Sequence, residues 1–197
     1  QIPGLIFPGL TVVVSPLISL MKDQVEQLLD LGVKATFLNS SLSTQEYSKR
    51  MAEVKTDKIK LLYLAPEALL TDRILELLAA VQVNCLTIDE AHCISEWGHD
   101  FRPEYRQLVQ LRDRFPTLPM IALTATATER VRQDILIQLA LQNPSVHVSS
   151  FNRQNLYYEV RAKDKLVYAD LLKEIGRAEG GAGIIYCLSR RRVNELA

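Results

Sequence analysis

The sequence has no surplus of either charge, with 23 lysines and arginines against 23 aspartates and glutamates in 197 residues. The whole chain therefore exerts no bulk attraction on nucleic acid or an anionic surface, and any such contact has to come from a local patch. Cysteine is scarce: Cys85, Cys93 and Cys187 show no CxxC spacing, which excludes a disulfide framework and a cysteine-rich zinc site within these residues. Cys85 and Cys187 lie in apolar, strand-like runs, so buried, reduced thiols are expected. Long apolar runs are missing too. Stretches such as Leu10 to Val14 and Gly183 to Cys187 are strand-length, far short of the roughly 20 residues of a membrane span, and no signal peptide is visible. No GxxxxGK[ST] occurs, and none of the eight glycines is followed by lysine, so the loop that cradles β- and γ-phosphates is not among these residues. The sequence starts at Gln1 and stops at Ala197 inside a helical run, Arg190 to Ala197, with no cap. We expect it to continue at both ends, so a motif lacking here is lacking from this stretch only.

What is present is a hydrophobic content of 48% beside 23% charged residues, enough for one full core and the start of another. Apolar, β-rich runs alternate with segments of helical period, the pattern of parallel strands joined by helical crossovers in an α/β fold. Strands are expected at Leu10 to Ser15, Ala35 to Leu38, Lys60 to Leu64, Val83 to Ile88, Met120 to Leu123 and Val146 to Ser149. Helices are expected at Ser19 to Leu31, Thr44 to Val54, Asp72 to Val81, Glu104 to Phe115 and Glu129 to Leu141. A first domain over residues 1–150 follows. Residues 151–163 read as a polar connector with a short strand around Tyr157 to Val160. Residues 164–197 read as the opening of a second α/β domain, with a helix over Leu166 to Ile175 and a buried strand at Gly183 to Cys187 after a glycine-rich turn.

The strongest chemical signal is Leu86-Thr87-Ile88-Asp89-Glu90-Ala91-His92, a buried strand that delivers two adjacent carboxylates to its C-terminal end, where open α/β sheets bind ligands. In a nucleotide-hydrolysing domain the first can hold Mg²⁺ and the second can orient and deprotonate the attacking water. The competing reading is an Asp-Glu pair that caps the next helix.

Asp89-Glu90-Ala91-His92 resembles the Walker B box of superfamily 2 helicases, and its companions follow in the order of that family. TVVVSPLISLMKDQV (Thr11 to Val25) resembles motif Ia, YLAPE (Tyr63 to Glu67) motif Ib, ALTATAT (Ala122 to Thr128) motif III and GIIYCLSR (Gly183 to Arg190) motif IV. The segment Ile94 to Tyr105, ISEWGHDFRPEY, is similar to the aromatic-rich loop that in RecQ-type DNA helicases links single-strand binding to ATP hydrolysis. Trp97 and Phe101 offer faces for base stacking and Arg102 a phosphate or stacking contact. Taken singly, either aromatic is more often core, but a loop punctuated by Gly, Asp and Pro argues against burial of both.

The resemblance implies a RecA-like parallel sheet flanked by helices over residues 1–150 and the beginning of a second RecA-like lobe. It implies a DNA-stimulated ATPase that uses ATP and Mg²⁺ to unwind DNA in the 3′-to-5′ direction, in repair and recombination, with single-stranded and duplex DNA as partners. The place of action would be the bacterial cytoplasm at the nucleoid, or a nucleus. Asp89 would handle Mg²⁺ and Glu90 would be the general base. His92, Thr124 and Thr126 would couple this site to the strand, and Trp97, His99, Phe101 and Arg102 would contact it. Thr124 and Thr126 also admit the reading of an ordinary strand end, with Thr128 as a helix cap.

Softer DNA contacts are Ser15, Pro16 and Lys22 in motif Ia and Pro66 with Glu67 in motif Ib, at strand-to-helix turns whose N–H groups can bind phosphate. Lys22 alone is more often a solvated helix lysine. Arg190 could bind phosphate in the second lobe, although Arg190 to Arg192 also read as a wet helix face. Arg153 falls in Asn152 to Leu156, which resembles the family's interlobe motif with Gln154 where proline is expected. Without a phosphate loop, these residues alone are expected to show no appreciable ATPase or unwinding activity. Two other readings stay open: a non-hydrolysing nucleic-acid-binding relative, and a different superfamily 2 helicase or translocase.

Overall fold

A computed structural model of the chain describes residues 1–150, 153–162, 167–177 and 180–196. They form two compact units, Gln1–Val146 and His147–Ala197. In the first unit the order is α1 (Ile2–Ile6), β1 (Leu10–Val14), α2 (Ile18–Asp30), β2 (Ala35–Leu38), α3 (Thr44–Val54), β3 (Leu61–Leu64), α4 (Pro66–Leu69), α5 (Asp72–Ala79), β4 (Val83–Ile88), a 3₁₀ turn (Ala91–Ile94), α6 (Pro103–Gln107), α7 (Gln110–Arg114), β5 (Met120–Ala122) and α8 (Glu129–Gln138). The five strands lie in the order β2-β3-β1-β4-β5, and every pairing is parallel.

The central strand is the most β-branched, Leu-Thr-Val-Val-Val, and all five of its residues are buried. Both sides of a parallel sheet are covered by crossover helices, so continuous apolar runs are the expected strand sequence. The period of two divides the core. Val12, Val14, Leu62, Leu64, Leu86 and Ile88 pack with Met51 and Val54 of α3, Ile74 and Leu77 of α5, and Val131 and Ile135 of α8. Val13, Phe37, Leu61 and Tyr63 point the other way, onto Met21, Val25 and Leu28 of α2.

The structure departs from the expectations at several places. A helix over Glu104 to Phe115 is two short ones, because Tyr105, Leu108 and Leu111, 0–3% exposed, repeat every three residues and the hydrogen bonds tighten to i→i+3 between them. Val146 to Ser149, Tyr157 to Val160 and Gly183 to Cys187 are not strands. A strand exists only through a ladder partner, and no ladder among the described residues reaches these runs. Cys187 is half-buried, not buried as expected, whereas Cys85 and Cys93 are buried.

The second unit contains α9 (Val167–Arg177) and α10 (Arg190–Leu196). The expected start of α9 at Leu166 lies outside the described residues, as do Phe151 and Asn152 of the connector. Among the described residues no helix is long and apolar enough to cross a membrane.

Candidate active site and nucleic-acid interface

After β1 the chain turns toward β2 on one side of the sheet, and after β4 toward β5 on the other. The C-terminal ends of β1 and β4 therefore border a topological switch point, the position where such sheets bind ligands. Asp89 sits there, its N–H donating to the Val14 carbonyl at 2.9 Å. Glu90 follows in the left-handed region, φ 48° and ψ 43°. A side-chain-bearing residue in that region costs on the order of 1–3 kcal/mol and persists only where its surroundings impose it.

Those surroundings are on both sides of the turn. The Ala91 N–H donates to Leu123 O at 2.8 Å, and the Leu123 N–H donates to Ile88 O at 2.9 Å. The Tyr105 hydroxyl donates to Asp89 O at 3.0 Å. Tyr105 is fully buried, and burial holds its phenol far above the usual range, so it remains a donor. The carboxylate pair does not cap a helix. Glu90 makes no side-chain cap bond to the 3₁₀ turn, and Asp89 Oδ1 accepts from its neighbour's N–H at 3.0 Å. Both carboxylates belong to residues that are partly exposed.

His92 joins the pair to the end of β5. Its Nδ1 lies 3.0 Å from Thr124 Oγ1 and 3.3 Å from Glu90 Oε2. Because a carboxylate only accepts, this arrangement favours the tautomer with the proton on Nδ1. Burial first, then neighbouring His99, holds the imidazole below its ordinary range, partly opposed by Glu90. Thr124 Oγ1 also accepts from the Thr126 N–H at 3.3 Å, so the motif III turn is tied to Glu90 through one ring. Thr126 itself is exposed, and Thr128 caps α8 by accepting from the Val131 N–H.

The aromatic loop folds back on this ring. His99 stacks on His92 at 4.2 Å between ring centroids, and Gly98 lies so close that a Cβ there would meet His92 O at 2.6 Å. Only glycine allows that approach. Trp97 remains 59% exposed, with the Arg130 guanidinium 3.1 Å from its ring centroid. Phe101 is half-buried under Arg106 at 5.0 Å, which also pairs with Glu96 at 2.9 Å. Arg102 is already engaged: it pairs with Asp100 at 3.0 Å and donates to Pro16 O of the motif Ia turn at 3.2 Å. Cys93 lies beneath, its thiol pushed up to about 11 by burial and by Asp100, which makes it an inert packing group.

The remaining predicted residues divide. Ser15 is buried at the end of β1 and its Oγ has no partner, while Pro16 beside it is half-buried. Pro66 is buried at the start of α4, and Glu67 lies in its first turn. Lys22 is an exposed helix lysine 3.7 Å from Glu26. Arg153 and Arg190 are exposed residues of the second unit.

Two residues here carried no assigned role in the sequence. Tyr105 was within the quoted loop, but nothing in a pattern tells a buried phenol donor from a core ring. Arg130 had one signal: a cation at the second position of α8, where the helix dipole disfavours positive charge.

Comparison with known proteins gives the family. The profile of the DEAD/DEAH box helicase family matches residues 7–135. The ATP-dependent DNA helicase RecQ of Pasteurella multocida is 49% identical over all of this chain and 31% of its own length. The RecQ-like DNA helicase BLM of Xenopus laevis is 44% identical over all of this chain and 15% of its own length. The chain thus spans about a third or less of these two relatives. Among solved structures, the Pyrococcus furiosus Hef helicase domain superposes with a TM-score of 0.51 at 18% identity, over 71% of this chain and 29% of that one. That likeness supports a RecA-like fold for the five-stranded parallel sheet. The chain belongs to the DEAD/DEAH box helicase family, and along its whole length it is similar to the RecQ helicases of bacteria and eukaryotes.

Proposed function

We propose that the protein containing these residues is a RecQ-type DNA helicase that couples ATP hydrolysis to movement on single-stranded DNA and separation of duplexes. The observation that carries this reading is the connection of Glu90 to the aromatic loop through His92, which contacts Glu90, Thr124 and His99 together. A strand that moves Trp97 or Phe101 has a packed route to the carboxylate.

The donors at the switch point are carboxylate oxygens, which suit a hard cation held by one or two protein ligands and completed by water and phosphate. Asp89 would hold Mg²⁺, whose charge neutralises the phosphates. Glu90, fixed by its left-handed backbone, takes the proton of the attacking water. His92 holds that carboxylate in place with its Nδ1–H and passes changes at Thr124 to it. Trp97 supplies a stacking face for a base. The 3′-to-5′ direction, the role in repair and recombination, and action in the cytoplasm or nucleus rest on the family resemblance.

Residues 1–197 alone contain no phosphate loop, and phosphoryl transfer needs its charge and positioning together with the carboxylates. The isolated chain is therefore inactive as an ATPase on this reading. The test is steady-state ATP hydrolysis by the whole protein, with and without single-stranded DNA. Glu90→Gln lowers the DNA-stimulated rate by about 10²–10⁴-fold. A Glu90→Gln rate within a factor of two or so of the parent would overturn the assignment.

A further inference from the structure

We infer that Arg130 is a positioning residue for the aromatic loop: it clamps one face of Trp97 and ties that ring to the N-terminus of α8. The function assigned to the clamp rests on the reading of Trp97 as a base-stacking residue, while the clamp itself does not. The guanidinium carbon lies over the Trp97 ring, 3.1 Å from its centroid, where it shields that face from solvent. Trp97 still exposes 59% of its surface. One ring face is therefore taken and the other is open, so a base can stack from one direction only.

The other end of the clamp matters equally. Arg130 is the second residue of α8, which is capped by Thr128 and continues directly from the turn where Thr124 meets His92. Displacing Trp97 therefore pulls on α8 and the motif III turn. This route to the carboxylates is separate from the one through His99. A cation in the first turn of a helix opposes the dipole, and the indole's negative face supplies a compensating attraction. Arg130 is exposed, so its replacement removes no core contact.

Trp97 is the single tryptophan, so its fluorescence reports the clamp without a label. In the 197-residue chain, Arg130→Ala is expected to raise the acrylamide quenching constant by about 1.5- to 2-fold, as the second ring face opens to solvent. Arg130→Lys keeps the charge but cannot lie flat, and recovers less than half of that protection. Quenching unchanged in Arg130→Ala, with the circular dichroism of the parent, would overturn the clamp.

The second arm titrates an oligothymidylate of about 20 nucleotides and follows Trp97 emission. Arg130→Ala is expected to raise the half-saturation concentration about two- to fivefold, with Arg130→Lys intermediate. Equal half-saturation in parent and Arg130→Ala would overturn the positioning role and leave the stacking assignment standing. Full recovery of binding by Arg130→Lys while its Trp97 stays open to acrylamide would reduce Arg130 to a phosphate charge and also overturn it. No emission change in any variant would overturn the stacking assignment and, with it, the presentation of Trp97 to a strand.

Discussion

The two units of this chain are built from similar residues and solve the burial problem differently. In the first, Val12, Leu62 and Ile88 are 0% exposed and lie between helices. In the second, Val160, Tyr186 and Leu188 are 90% exposed or more, and no described residue is buried. The run Gly183 to Cys187 is as apolar as β1, yet it is not a strand. Apolar sequence supplies the drive to leave water, but a strand requires a ladder partner on at least one edge, as β2 and β5 have, and a core requires cover on its faces.

The largest test of this contrast is native-state amide exchange. The amides of β1, β3 and β4 should be protected at least ~10³-fold more than those of residues 183–188. Comparable protection in the two segments would show that residues 183–188 are held as firmly as the sheet. Truncation of side chains gives the next effect. Leu62→Ala should cost about 2–5 kcal/mol by urea denaturation, and Leu172→Ala, at a site 68% exposed in α9, about 0.5 kcal/mol or less.

Removing the cap of α8 by Thr128→Ala should cost about 1 kcal/mol in the same experiment. A loss near zero would mean that α8 is held by its buried face alone. The smallest effect is on pH. Burial holds His92 below its unfolded value, so below about pH 6.5 the unfolded chain binds more protons than the folded one. Stability therefore falls as pH drops through that region toward the lowered folded value. The fall in Tm between about pH 7.5 and about pH 5.5 should be shallower in His92→Gln than in the parent. A steeper fall in the variant would show that the ring is not held neutral.

The sheet of the first unit was legible because its strands are mostly apolar and β-branched and its helices have clean period: Ala35–Leu38, Val83–Ile88 and Thr44–Val54 stand where the sequence puts them. The five-residue helix α1 was not foreseen, since Ile-Pro-Gly-Leu-Ile has no helical repeat and two of its residues are helix breakers. Asp89 and Glu90 could be placed at a strand end from sequence, but the left-handed Glu90 could not. It arises from the Ala91 and Leu123 hydrogen bonds to distant strands. Arg102 illustrates the same limit. Its charge was visible, whereas its engagement by Asp100 and the Pro16 carbonyl depends on residues up to 86 positions apart.

Coupling of strand binding to hydrolysis requires the carboxylates and the aromatic loop to act as one site. The most direct measurement is ATP turnover of the whole protein with Trp97→Ala, compared with and without saturating single-stranded DNA. Trp97→Ala should lose the DNA stimulation by a larger factor than it loses the rate without DNA. Stimulation equal to that of the parent would rule out that coupling.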